Sequence, residues 1–429
     1  MNNLFLLLLL VFFNKLVIAQ NCPPGDLIFE RQSQIDSFAI LYPNCDRVAG
    51  SLIIRPASSE TDDITNLEPL SNLKMVNFGL VISGTSKLTN LNGLNNLSGR
   101  IGGLLEVFGN TALLTLKGLE KINKAFGDVS VNQNPRIKNL EGLNGLDTIW
   151  QNFYITGNDS LVSLTGLDNI RHVNLTLGII ENPELKSISG MKSLEHSRNI
   201  AIRHNRKLES LEGLKRLKTL NGHLFLRNLG ITTTMGLDSL EHVQFNLEID
   251  INEKLQKIEG FERLKIVNGA IKIANNIELT AITAFDAVNI DSLDFLEIRN
   301  NDKLTACKTE FICNYISVKP DFAGIYLNAG ECINLDILKL ACFVSTNETD
   351  GVLKLTISPS LVTDFIRITG DDQNSEGLLY QIISVDGKTF KKGSISTVDD
   401  IQVSNLSPGM YFLKISRGSD FLTSKFIKS

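Results

Sequence analysis

Beyond its first nineteen residues this 429-residue chain contains no apolar run of 18 residues, so no later segment reads as a membrane-spanning helix. Histidine is scarce, with five in the whole chain, which leaves little material for acid–base catalysis. No C-x-x-C pair occurs, so a zinc–thiolate site lacks its usual ligand spacing. Lysine and arginine (42) are outnumbered by aspartate and glutamate (47), giving a net charge of −5, and the basic residues are scattered. Without a basic stripe, nucleic acid is excluded as a partner. Phosphate-binding loops, dinucleotide fingerprints, nucleophile elbows and H-E-x-x-H are all missing.

What the chain does have is a period. Asparagines stand at Asn110, Asn134, Asn158, Asn182, Asn205, Asn228, Asn252, Asn276 and Asn301, at spacings of 23 to 25 residues. An apolar residue follows each at +3, from Leu113 through Leu161 to Leu304. A glycine follows at +8 in most copies, Gly118 to Gly260, with Ala284 in its place in the last complete one. Nine or ten such copies between about Thr61 and Cys307 predict a solenoid, because each unit seals its apolar edge only against the next.

Before each asparagine apolar residues alternate, as in Leu105 and Val107 or Phe153 and Ile155, the pattern of a strand with one buried face. Afterwards they fall at +3, +6, +9 and +12, the corners and return side of the unit. An inward asparagine is costly unless hydrogen-bonded, so the column is expected to pair with backbone groups where the chain turns. The +8 glycine is expected where positive φ or close backbone approach is needed. One copy departs from the rule: around Asn228, His223 falls in the usual inward slot and Thr234 replaces an apolar residue, which predicts a bulge.

The ends differ from the repeats. Residues 1–19, with the apolar run Leu4 to Phe13 and Val17-Ile18-Ala19 before the cut, read as a secretory leader. All six cysteines lie in the exported part but outside the repeats, favouring disulfides. Their grouping suggests Cys22–Cys45 at one end, then Cys307–Cys313 and Cys332–Cys342 at the other. Residues 20–60 form the N-terminal cap and first turn of the solenoid, with Ser33 capping a helix through Ile35, Phe38 and Ile40 that Pro43 ends. The repeats occupy 61–306 and a cysteine-rich cap 307–343, where Leu335, Ile337 and Leu340 suggest a helix. A polar linker, 344–351, precedes a C-terminal β-sandwich, 352–429, with hairpin turns at Asp386-Gly387 and Pro408-Gly409.

With "CPPGDLIF", "LESLEGLKRL" and "ACKTEFICNYI", residues 22–342 resemble the receptor L-domain family within the leucine-rich repeat group. The resemblance implies a right-handed, parallel β-helix-like fold and extracellular ligand binding, without naming a ligand. The last 80 or so residues, with "LTISPSLVTDFIRITG", "YQIISVDGKTFKKG" and above all "VSNLSPGMYFLKI", resemble the type A sorting domain of the type IX secretion system in Bacteroidetes. Where that family usually has an asparagine between prolines, this chain has Ser358-Pro359-Ser360. The second resemblance implies engagement of the type IX machinery and delivery to the outer cell surface or medium.

No catalytic residue, cofactor or metal site emerges. His172, His196 and His242 share one column, with Thr219 interrupting it, and read as surface histidines. Outward strand positions carry neither a threonine array for a lattice nor an aromatic track; Phe108, Tyr154 and Ile180 form one apolar streak. The expectation is a mainly β, non-enzymatic binding or adhesion protein for an extracellular protein or glycan. The alternatives are a polysaccharide-active solenoid enzyme and a structural surface spacer.

Overall fold

The computed structural model describes residues 21–343, 355–358, 361–370, 378–384, 388–396, 398–417 and 420–428. The leader at 1–19, the linker at 344–351 and the Asp386-Gly387 turn lie outside them. The chain divides into two compact regions, one ending at Cys342 and one beginning at Phe343, and both are mainly β.

In the first region the chain returns to the same sheet once per repeat. Strands Leu80–Ser83, Leu105–Phe108, Val129–Asn132 and Phe153–Thr156 pair in parallel, each with the copy before and after. The ladder continues through His172–Ile180, His196–Asn205, Leu224–Leu229, Leu247–Asp250, Ala270–Ala274 and Phe295–Arg299 to Ala323–Tyr326. Alternation sets the register: Phe153 and Ile155 are fully buried, opposite Val129 and Val131. The return side is equally dry, with Leu161, Leu164, Leu167 and Ile170 all at 0% exposure. Each such side chain contributes roughly 2 kcal/mol of burial, realised only when a neighbouring repeat covers it.

The asparagines form a ladder. Each Oδ1 accepts from the backbone N–H of the previous rung, as in Asn134 N to Asn158 Oδ1 at 3.0 Å. Each Nδ2 donates to a strand carbonyl of the previous repeat, as in Asn158 Nδ2 to Val131 O at 2.8 Å. Two rungs escape the sequence spacing. Thr85 donates through its N–H and Oγ1 to Asn110 Oδ1 at one end, and Asn328 receives Asn301 at the other.

Asn228 is not a rung. Leu224 and Leu226 line up with Ile200 and Ile202, so the slot opposite Asn205 falls to Leu229, whose N–H donates to Asn252 Oδ1 at 3.0 Å. His223 accordingly stands half-exposed rather than inward, and the expected bulge is absent from this strand. A register shift lies two repeats earlier, between Val173 and Thr176, where the spacing shortens. Thr234 is fully buried and bonds through Oγ1 to both Glu259 N and Glu259 O.

The caps follow from the same stacking. Helix α1, Gln32–Leu41, buries Ile35 and Phe38 but leaves Ile40 exposed. Ser33 lies inside its first turn and does not cap it; the side chain of Gln34 accepts from Glu30 N and Arg31 N instead. Helix α2, Glu310–Val318, is capped by Thr309 and buries Phe311, Ile312, Tyr315 and Ile316. Helix α3, Leu335–Phe343, follows it. Cys22–Cys45 is bonded as expected, but the C-terminal pairs are Cys307–Cys332 and Cys313–Cys342. Stacking explains the correction: residues 25 apart, the separation of Cys307 and Cys332, come together on consecutive repeats. The pair Cys313–Cys342 is then left to clasp α2 to α3.

The second region holds a three-stranded antiparallel sheet, Leu355–Ser358, Phe365–Gly370 and Val398–Gln402. A five-stranded sheet is formed by Leu361–Val362, Asp420–Lys428, Gly409–Arg417, Leu378–Ser384 and Thr389–Ile395. Ile366 and Ile368 from the first sheet share one apolar cluster with Leu378, Ile382, Leu413 and Ile415 from the second.

Candidate binding face

The outward side chains of the parallel ladder stack into columns, and their character changes along it. Toward the C-terminal end the charges neutralise one another: Arg227 pairs with Asp250 at 3.4 Å, Lys272 with Glu248 at 3.3 Å and Arg299 with Glu297 at 3.0 Å. Such partly exposed pairs contribute about 1 kcal/mol each and offer little to a partner.

The middle of the ladder is different. Tyr154 lies across Gly178, where an added Cβ would sit 2.7 Å from the tyrosine ring and 3.6 Å from Ile180. Tyr154 and Ile180 both lie beside Gly178, while Phe108 stands three strands from Ile180 behind Asn132 and Thr156. Further along, the Arg203 guanidinium sits 4.5 Å from the centre of the Phe225 ring. Phe225 packs on His223 and His223 on Phe245, both at 5.2 Å between centroids. His223 Nδ1 accepts from Asn246 N, so the neutral ring carries its proton on Nε2. Arg203 Nε is buried with no hydrogen-bond partner. A second stack, Phe126 on Trp150 at 5.6 Å, stands at the corner before the strands with Arg100 5.5 Å from Phe126.

Neither run was visible as an aromatic track: the members of the longer one come from different columns, and Phe126 and Trp150 share a corner column outside the strands. His223 and Phe245 are corner residues, Phe225 and Arg203 strand residues, and the displaced register around Asn228 hid Phe225 from the outward set. Counting the register from Leu224 and Leu226 would have exposed it.

The histidine column assembles as expected: His172 stacks on His196 at 5.4 Å, His196 Nδ1 meets Thr219 Oγ1 at 3.0 Å, and His242 pairs with Gln244. Among the described residues no group of three or more histidine, cysteine or carboxylate side chains is placed to hold a metal ion.

At the far end of the strands, the residue before each rung takes positive φ. This column includes Gly157, Glu181 (φ 56°), His204 (φ 58°), Asn228 (φ 55°) and Ile251 (φ 56°). It borders an open cavity of about 480 Å³ lined by Gly157, Asp159, Glu181, Pro183, His204, Arg206 and Asn228. Asn228, free of the ladder, bridges its wall: Nδ2 contacts His204 Nδ1 at 2.9 Å and Oδ1 accepts from Arg206 Nε at 3.0 Å. A third feature, on the return side between short 3-10 turns, is a hollow of about 570 Å³ near Lys192 and Lys215. There the Lys192 ammonium, 2.9 Å from Asp168, holds that carboxyl below its usual value.

The C-terminal region identifies itself by its strands and turn sequence. Residues 356–429 match the secretion system C-terminal sorting domain. Proteins carrying this domain are exported by the type IX system to the cell surface or the extracellular space, which places the chain there. No curated protein matches the chain. In the sorting domain Arg367 and Asp400 join Phe365–Gly370 to Val398–Gln402 through two 2.9 Å hydrogen bonds. The pairing raises the arginine pKa and lowers that of the carboxyl. Tyr411 packs on Phe390 and Phe426 and donates to Ser407 O. Among the described residues no helix is long and apolar enough to cross a membrane.

Proposed function

We propose that the exported part is a non-enzymatic binding protein. In this reading residues 22–342 are a disulfide-capped solenoid of the receptor L-domain type, and the outer face of the ladder is the recognition surface. The regular parallel register and the terminal disulfides support the architecture. One observation carries the function: the run Arg203, Phe225, His223, Phe245 stands on a face whose charges toward the C-terminal end are paired off. Aromatic rings with an adjoining guanidinium are the side chains that concentrate binding energy at recognition surfaces.

The test is binding of the mature chain to glycan arrays, protein arrays and cell surfaces. A Phe225→Ser, Phe245→Ser double variant is expected to lose at least about tenfold in affinity. Unchanged binding would move recognition off this face. Silence of the wild-type chain on every surface would remove the binding reading altogether.

A further inference from the structure

Packing dictates the repeat, so the places that break it at a cost point to some other requirement. One such break stands at a cavity. Asn228 leaves the ladder there, beside Glu181 and His204, which share the positive φ of their whole column. Earlier repeats place Gly84 and Gly109 in the same column, where positive φ meets no steric penalty. The column returns to glycine at Gly157, which lines the cavity without a side chain.

The cavity is lined by a mixed set of polar groups. Asp159 and Glu181 supply acceptors; Arg206 supplies donors, and His204 is tied to Asn228 through Nδ1. The Asn228 bridge holds the imidazole and guanidinium together before any ligand arrives, lowering the ordering cost of binding. Carboxylates on the lining disfavour a polyanion, and Arg206 disfavours a cation. Neutral hydroxyls are both donors and acceptors, and satisfy both kinds of group. Pro183 adds an apolar surface for ring carbons. The volume, about 480 Å³, falls within the range of small-ligand sites.

We infer that this cavity binds a neutral sugar unit, the terminal residue of an extracellular glycan. The inference rests on the binding reading above and assigns its ligand class.

The test uses the mature full-length chain with the methyl glycosides of glucose, galactose, mannose, fucose and N-acetylglucosamine as probes. Saturation-transfer NMR is expected to detect at least one of them. Asn228→Gly keeps the backbone free to hold its φ but removes the bridge, and Glu181→Gln removes one acceptor charge. Each is expected to weaken that glycoside by about tenfold. Asn275→Gly, in the same column two repeats away, should leave it unchanged. Binding that survives both cavity variants overturns the inference. So does failure of every glycoside while the chain still binds a surface or partner, an outcome that leaves the binding reading standing. Failure on glycosides and surfaces alike overturns both.

Discussion

At Gly166 a methyl group would overlap the carbonyl oxygen of Leu140 on the previous repeat, and φ is +109°. Gly84 also has positive φ, +69°, but open space where its Cβ would stand. The two separate the reasons a glycine is needed. Gly84→Ala should cost about 1 kcal/mol of conformational strain, and Gly166→Ala at least about 2 kcal/mol, because a backbone in the stack must also move. Urea titrations giving equal losses would show that the overlap relaxes freely. Gly190 and Gly213 support the second reason: neither has positive φ, yet each would collide with the carbonyl of the repeat beneath. The +8 column was legible in the sequence because every copy faces the same neighbour. The positive-φ column was not, since its members run from glycine through Glu181 and His204 to Ile251 with no shared chemistry. Ile251 is its worst fit, a β-branched residue at φ 56°. Ile251→Asn should stabilise the chain by roughly 0.5–1 kcal/mol in the same titration; a loss would mean that the isoleucine packs better than its backbone suggests.

The terminal elements answer to the stack they close. Phe261, Phe285 and Phe311 follow one another at 5.1 and 5.7 Å, carrying the core out of the last repeats into α2. Helices α1 and α3 were legible from their apolar spacing, while α2 and the cystine pairing were not; chain proximity favoured Cys307–Cys313 and stacking opposed it. Non-reducing peptide mapping should recover Cys307–Cys332 and Cys313–Cys342; a Cys307–Cys313 peptide would contradict the arrangement of the cap. Removing the α2–α3 clasp by Cys313→Ser and Cys342→Ser should cost about 2–4 kcal/mol. Tyr315 anchors the same helix, with its hydroxyl near Asp294 O and Phe322 O at 3.3 Å. Burial, aided by the Asp294 charge, pushes its pKa from 10.0 up to about 12. A folded pKa above the unfolded one favours the native state fully below pH 10 and is lost as pH rises toward 12. Denaturation between those limits should therefore show a falling stability that Tyr315→Phe flattens. An unchanged slope would place the alkaline sensitivity elsewhere.

Across the whole molecule, legibility divides along the same physical line. Inward positions repeat because each must fit the next copy, and so the period was plain in Asn158, Leu161, Leu164 and Leu167. Outward positions meet only solvent or a partner, so Arg203, Phe225 and Phe245 obey no period and reveal themselves only once the register is known. The C-terminal region is read by export machinery, which constrains its sequence directly and made "VSNLSPGMYFLKI" conspicuous. Because that region is a compact body of its own beginning at Phe343, it can be removed without cutting the repeat stack. A chain stopped after Cys342 should fold with all three disulfides yet remain on the inner side of the outer membrane in a host with the type IX system. Fusing residues 343–429 to an unrelated periplasmic passenger should carry that passenger to the surface or medium. Fractionation and protease accessibility of intact cells would read both outcomes. Surface exposure of the truncated chain would show that export depends on the repeat region, and would detach the sorting domain from the route assigned to it.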